Sequence, residues 1–130
     1  MSDMAYTVHS AKNFADTLKA LEEAATAAGW TALGVHDMKA RFDKKGIAWE
    51  GQISIFEMCN ANFASQMALA DPRFVLHMPC RAVVRELEDG VVEVSILQTT
   101  YVASLFGDEY EEMAAHVGAI VQGIIDSATA

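Results

Sequence analysis

The strongest constraint on the fold lies between residues 74 and 97, where two alternating runs meet at Asp89-Gly90. In the first run Leu76, Met78, Cys80, Ala82 and Val84 share one side, and His77, Arg81 and Arg85 share the other. In the second, Val92, Val94 and Ile96 point inward. Alternation at a period of two is the signature of a strand with one covered face. An Asp-Gly pair supplies the positive φ that a tight hairpin needs, so the two runs predict neighbouring antiparallel strands over Phe74–Leu87 and Val91–Leu97. A further run, Ile47–Cys59, predicts another strand, with Ile47, Trp49, Ile53 and Ile55 on one side and Glu50, Gln52 and Ser54 on the other.

Helical spacing fills most of the remainder. Phe14, Leu18, Leu21, Ala25 and Ala28 recur at three- and four-residue steps between Ser10, a candidate cap, and Gly29. Asn60 or Asn62 caps a short helix through Phe63, Met67 and Ala70 that Asp71-Pro72 stops. Asp108 caps a long last helix with Glu109, Glu111 and Glu112 in its first turn and Tyr110, Met113, Val117, Ile120, Val121 and Ile124 as its buried stripe. With short strands at Met4–His9 and Trp30–Met38, and Lys39–Gly46 as a polar connection, the order is β-α-β-β-α-β-β-α. The expected class is α+β: two layers, a largely antiparallel five-stranded sheet with helices on one face. No repeat or linker divides the chain, so residues 1–130 read as a single domain. The other sheet face then offers Phe56, Met58, His77 and His36, an apolar and aromatic patch of the kind that marks a dimer or ligand surface.

Charge and hydropathy exclude several classes. Eighteen acidic residues against nine basic ones give a net charge of −9, which argues against a nucleic-acid partner. The basic cluster Lys39, Arg41, Lys44 and Lys45 reads as a solvated loop. No apolar run reaches the roughly 18 residues that span a bilayer, and no secretory signal is visible at the N-terminus. A cytoplasmic location is the expectation, and there cysteines are reduced rather than paired.

Chemistry centres on the two cysteines, Cys59 and Cys80. Cys59 ends a strand at the start of a helix, where amide groups and the dipole favour a thiolate. Cys80 follows Pro79 and shares the face of Leu76 and Val84, as a small buried hydrophobe would. The pair matches no zinc-finger spacing. Among the histidines, His77 stands beside Met78 and close to Cys80, while His36 and His116 have weaker contexts. No nucleophile elbow, phosphate loop or dinucleotide fingerprint is present, and Glu50 and Glu57 make a poor carboxylate pair, so nothing names an enzyme.

The block Phe56-Glu57-Met58-Cys59-Asn60, the helix with Ala64 and Ala68, Asp71-Pro72 and Met78-Pro79-Cys80-Arg81 resembles the domain of unknown function 302 family. Val35-His36-Asp37 and Lys44-Lys45-Gly46 are similar to it as well. Ala61 stands where the family has proline after Cys-Asn, and His77-Met78 where leucines are commoner. The resemblance implies a small two-layer α/β domain, often a homodimer, without an established catalytic activity, and with haem binding associated with some relatives.

Three functions follow as expectations. The first is a non-enzymatic, dimeric small-ligand or cofactor-binding domain, haem the named candidate, with His77, His36, Phe56, Met58 and Met78 around the ligand. The second is a thiol-based redox, sulfur-transfer or soft-metal-binding protein using Cys59 and Cys80, with His77 as a further metal ligand. The third is an interaction domain with no ligand.

Overall fold

The computed structural model describes residues 4–130. Residues 1–3, part of the segment weighed as a secretory signal, lie outside them. The strands are β1 (Ala5–Ser10), β2 (Thr31–Asp37), β3 (Ile53–Cys59), β4 (Cys80–Glu86) and β5 (Val92–Leu97). They form one five-stranded sheet in the order β1-β5-β4-β3-β2, antiparallel throughout. The Asp89-Gly90 turn joins β4 to β5 as expected, with Gly90 at φ +83° and Asp89 Oδ1 accepting from the Val91 amide.

Two long helices, α1 (Phe14–Ala27) and α5 (Glu111–Thr129), lie on one face of this sheet. Both are amphipathic: α1 buries Thr17, Leu21 and Ala25, and α5 buries Val117, Val121, Ile124 and Ile125. They close over Phe56, Met58, Ala82, Val84, Val92, Val94 and Ile96, and together these side chains are the core. The expected α+β class, with a two-layer antiparallel sheet, is what forms.

Local differences follow from caps and strand phase. Helix α1 is capped by Asn13, whose side chain accepts from the Asp16 amide. Ser10 instead accepts from the Lys12 amide and the Thr17 hydroxyl. Residues 39–46, read as a loop, are mostly helical: α2 (Met38–Lys44) is capped by Asp37 and carries a Lys39–Asp43 ion pair at 2.8 Å. Asn60 rather than Asn62 caps α3 (Ala61–Ala70), accepting from the Asn62 and Phe63 amides. In the junction after β5, Thr99–Ser104 form α4, and a short 3-10 turn at Asp108–Tyr110 precedes α5, so Asp108 makes no side-chain cap.

Two corrections bear on function. First, β3 begins at Ile53; Ile47 and Trp49 belong to a loop in which Trp49 packs on Phe42 at 5.6 Å. Within the true strand Ser54, Phe56 and Met58 face the helices, while Ile53 and Ile55 face the other way. Phe56 and Met58 are each 1% exposed, so they are core residues, not an open-face patch. Secondly, residues 72–77 are a 3-10 helix rather than the start of β4. Asp71 caps it, accepting from the Arg73 amide, and Leu76, expected inward, is 81% exposed. The Met78–Pro79 peptide is cis, and the strand starts only at Cys80. His77 therefore belongs to neither face of the sheet.

Candidate functional site

Cys59 and Cys80 lie at neighbouring ends of β3 and β4, whose register pairs Met58 with Cys80. Chain leaves the sheet here in both directions. Asn60 turns β3 directly into α3, and the 3-10 helix from Asp71 brings His77, Met78 and Pro79 up to the start of β4. Trp30, buried at 5% exposure, enters just before β2 and stacks obliquely on Phe63 of α3. These pieces enclose a small apolar cavity of about 30 Å3, lined among others by Trp30, Cys59, His77 and Cys80, with the thioethers of Met58, Met67 and Met78.

Among the described residues, Trp30 Nε1 and His77 Nε2 are the buried side-chain nitrogens or oxygens without a hydrogen-bond partner. Both residues line this cavity. A buried polar atom left unpaired costs roughly 1–3 kcal/mol, so two such atoms on residues around one small void make it the candidate site. Burial is the main cause that lowers the His77 pKa, and the Arg81 charge adds to it, so the ring is neutral at pH 7. Burial, and then the neighbouring Cys59, pushes the Cys80 thiol up to about 11. Cys80 is thus a protonated thiol that a soft metal can deprotonate by replacing its proton, rather than a free thiolate nucleophile.

The supporting wall is built from aromatic rings and one ion pair. Phe74 meets His77 at 6.3 Å, Phe106 at 5.1 Å and Tyr110 at 5.2 Å, all edge to face. Arg73 grips Asp71 through both carboxylate oxygens and lies 4.7 Å over the Phe106 ring. Tyr110 also donates to Asp71 at 3.0 Å. Hydrogen bonds from Arg73 above all, then from Tyr110, hold the Asp71 carboxyl far below the usual carboxylate range. This anchor fixes the 3-10 helix, and with it the direction in which His77 points.

The family model described as Domain of unknown function DUF302 matches residues 6–128. The chain belongs to this family. Its fold is similar to that of a solved structure described as an uncharacterized conserved protein DUF302 from Bacillus stearothermophilus. The TM-score is 0.90 at 21% identity, over 96% of this chain and 98% of that one. At that identity the likeness speaks for the fold. No protein with a curated description matches.

The residues expected to act together are divided by the sheet. His77, Met58, Met78, Cys59 and Cys80 share the cavity. Phe56 lies deeper in the core, and His36 is on the opposite face, its Nε2 donating to Glu57 at 2.9 Å. His116 is on the outer side of α5, edge to face with Phe63 at 5.8 Å. Sequence reasoning missed Trp30 and Met67. A signal for Trp30 existed: an indole N–H directly after a helix-ending glycine must find a partner if the ring is buried.

Haem does not fit this pocket. Cofactor sites occupy about 300–1,000 Å3, whereas the cavity at His77 holds about 30 Å3. A larger cleft of about 800 Å3 lies at the far end of the sheet, along Trp49, Glu50, Arg85, Glu86 and Asp89. It is rich in carboxylates and has no His, Met or Cys in its lining to serve as an axial ligand.

Proposed function

We propose that this domain is a non-enzymatic binder of a small, soft ligand, seated where Trp30, His77, Cys59 and Cys80 converge. One observation carries the reading: the two buried nitrogens without a partner belong to residues that line the same sulfur-rich void. A cavity of about 30 Å3 admits a ligand of one or two heavy atoms. A cytoplasmic setting, which keeps thiols reduced, suits the same reading. Hydrogen peroxide, a thiol oxidant of two heavy atoms, tests it. It should oxidise Cys59 in the folded protein and change Trp30 emission. Oxidation that proceeds only at the rate of global unfolding would reduce both thiols to packing and sink the proposal.

The open face of the sheet supports a second element, a homodimer. Val83 and Leu97, 36% and 42% exposed, lie there with Ile53 and Ile55. Ion pairs frame them on both sides, Glu57–Arg81 at 3.0 Å and Arg85–Glu93 at 2.8 Å. An apolar stripe with a polar rim is the anatomy of an interface. Sedimentation equilibrium should give a dimer that Val83→Glu converts to monomer; a monomeric wild type at micromolar concentration removes this element.

A further inference from the structure

We propose that the pocket binds one soft monovalent metal ion of the Cu(I) class, with Cys59, Cys80 and methionine thioethers as donors and His77 Nε2 beside them. This rests on the small-ligand reading above and names the ligand. Five of the chain's nine sulfur-bearing side chains line this single cavity. Thiolates and thioethers select Cu(I), which is content with two or three such donors. Zinc and the harder divalent ions need more. Zinc takes four ligands, three of them from the protein even in open sites. Among the described residues no group of three His, Cys, Asp or Glu side chains is placed to hold one ion. Thioethers fall outside that set, and Met58, Met67 and Met78 supply them here.

Size and polarity agree. The void is that of a single ion or a single water, about 30 Å3. His77 Nε2 has nothing to pair with, but His77, Cys59 and Cys80 do not form one three-ligand group, so the ring lines the pocket while the sulfurs supply the donors. Binding needs no change of oxidation state. Each coordinating thiol exchanges its S–H bond for an S–Cu bond and releases one proton to solvent. The bland occupant is one water bridging Trp30 and His77, and the experiment is arranged to separate it from the metal.

Reduced protein is titrated anaerobically against the Cu(I) complex of bicinchoninate, whose visible absorbance falls as metal is withdrawn. Wild type should withdraw one equivalent and, in a Trp49→Phe background, lose Trp30 emission in step. The double substitution Cys59→Ser with Cys80→Ser should weaken the affinity at least ~100-fold, and Met67→Leu with Met78→Leu about 10-fold. Met113→Leu, which alters a methionine outside the pocket, should leave it unchanged. Zn(II) at the same concentration should not compete. Equal withdrawal by wild type and the double-serine variant overturns the proposal, as does Zn(II) binding of equal strength. Should the serine variant not fold, the methionine pair decides, and an unchanged affinity there overturns it too. A Cys59 thiol that hydrogen peroxide oxidises readily while no Cu(I) is withdrawn leaves the small-ligand reading standing and removes the metal, with water as the occupant. Thiols that resist both remove both.

Discussion

The two faces of this sheet treat the same strands in opposite ways. On the open face the charged groups answer one another: His36 and Arg81 both reach Glu57, Arg85 reaches Glu93, and Thr7 and Ser95 join hydroxyls at 2.8 Å. On the covered face, at the end where Cys59 and Cys80 sit, two nitrogens remain unpaired beside a void. Phe56 and Met58 point into the second environment, and Ile55 and Glu57, their chain neighbours, into the first. Polarity alone therefore does not mark the site. What distinguishes it is polarity that the protein leaves unanswered where water is excluded, which is the costly arrangement.

Several experiments would break or sharpen this contrast. The largest effect belongs to the core: Phe56→Ala should cost about 3–5 kcal/mol in urea unfolding, whereas Ile55→Ala, one residue away on the open face, should cost well under half of that. Similar losses at the two positions would mean that the proposed dimer packs Ile55 as tightly as the helices pack Phe56. The next effect concerns haem. Stoichiometric addition should produce no Soret band, and a band that Met58→Leu or His77→Phe abolished would show that the pocket opens far beyond its present volume.

Acid should act on the covered side through His77. Its folded pKa is depressed, so its contribution to stability is full above the ordinary histidine value near 6.5 and is lost as pH falls through the folded value. His77→Phe should therefore flatten the stability profile between pH 7 and pH 5, and an unaltered slope would show that the ring is solvated. Asp71 has the same sign in a lower window. Its advantage is present above the usual aspartate range and fades below it, so the melting temperatures of wild type and Asp71→Asn should converge as pH falls below about 4. The smallest change is Trp30→Phe. If the indole N–H faces an empty void, removing it should be neutral or slightly stabilising; if an occupant accepts its hydrogen bond, the substitution costs about 1 kcal/mol. Glu57→Gln, on the exposed and salt-screened face, serves as the comparison and should fall within error at physiological ionic strength.

Much of the architecture was legible in the chain. The Asp89-Gly90 hairpin, the stripes of α1 and α5 and the family block around Cys59 and Cys80 are local patterns, and local patterns survive folding intact. The phase of β3 was not legible. Its heptapeptide Ile53–Cys59 carries apolar side chains on both faces, and counting Ile47 and Trp49 in phase tipped the balance to the wrong one. Those two residues precede Gly51, whose φ of +79° and whose approach to the Glu86 carbonyl, 2.6 Å from where a Cβ would sit, break the strand before Ile53. Residues 72–77 misled in the same manner, because alternation continues by chance through a segment that Asp71 caps into a 3-10 helix.

By itself the sequence determined the class of fold, the family and the placing of Cys59 at a strand end just before a helix, because each depends on residues close together along the chain. Tertiary structure decided which side of the sheet each β3 residue faces, that His36 and His77 never meet, and that Trp30, Met67 and His77 close over the two thiols. Those outcomes depend on how α3, the 3-10 helix and the segment before β2 converge at one end of the sheet. No spacing within any one of them encodes the void that their meeting leaves.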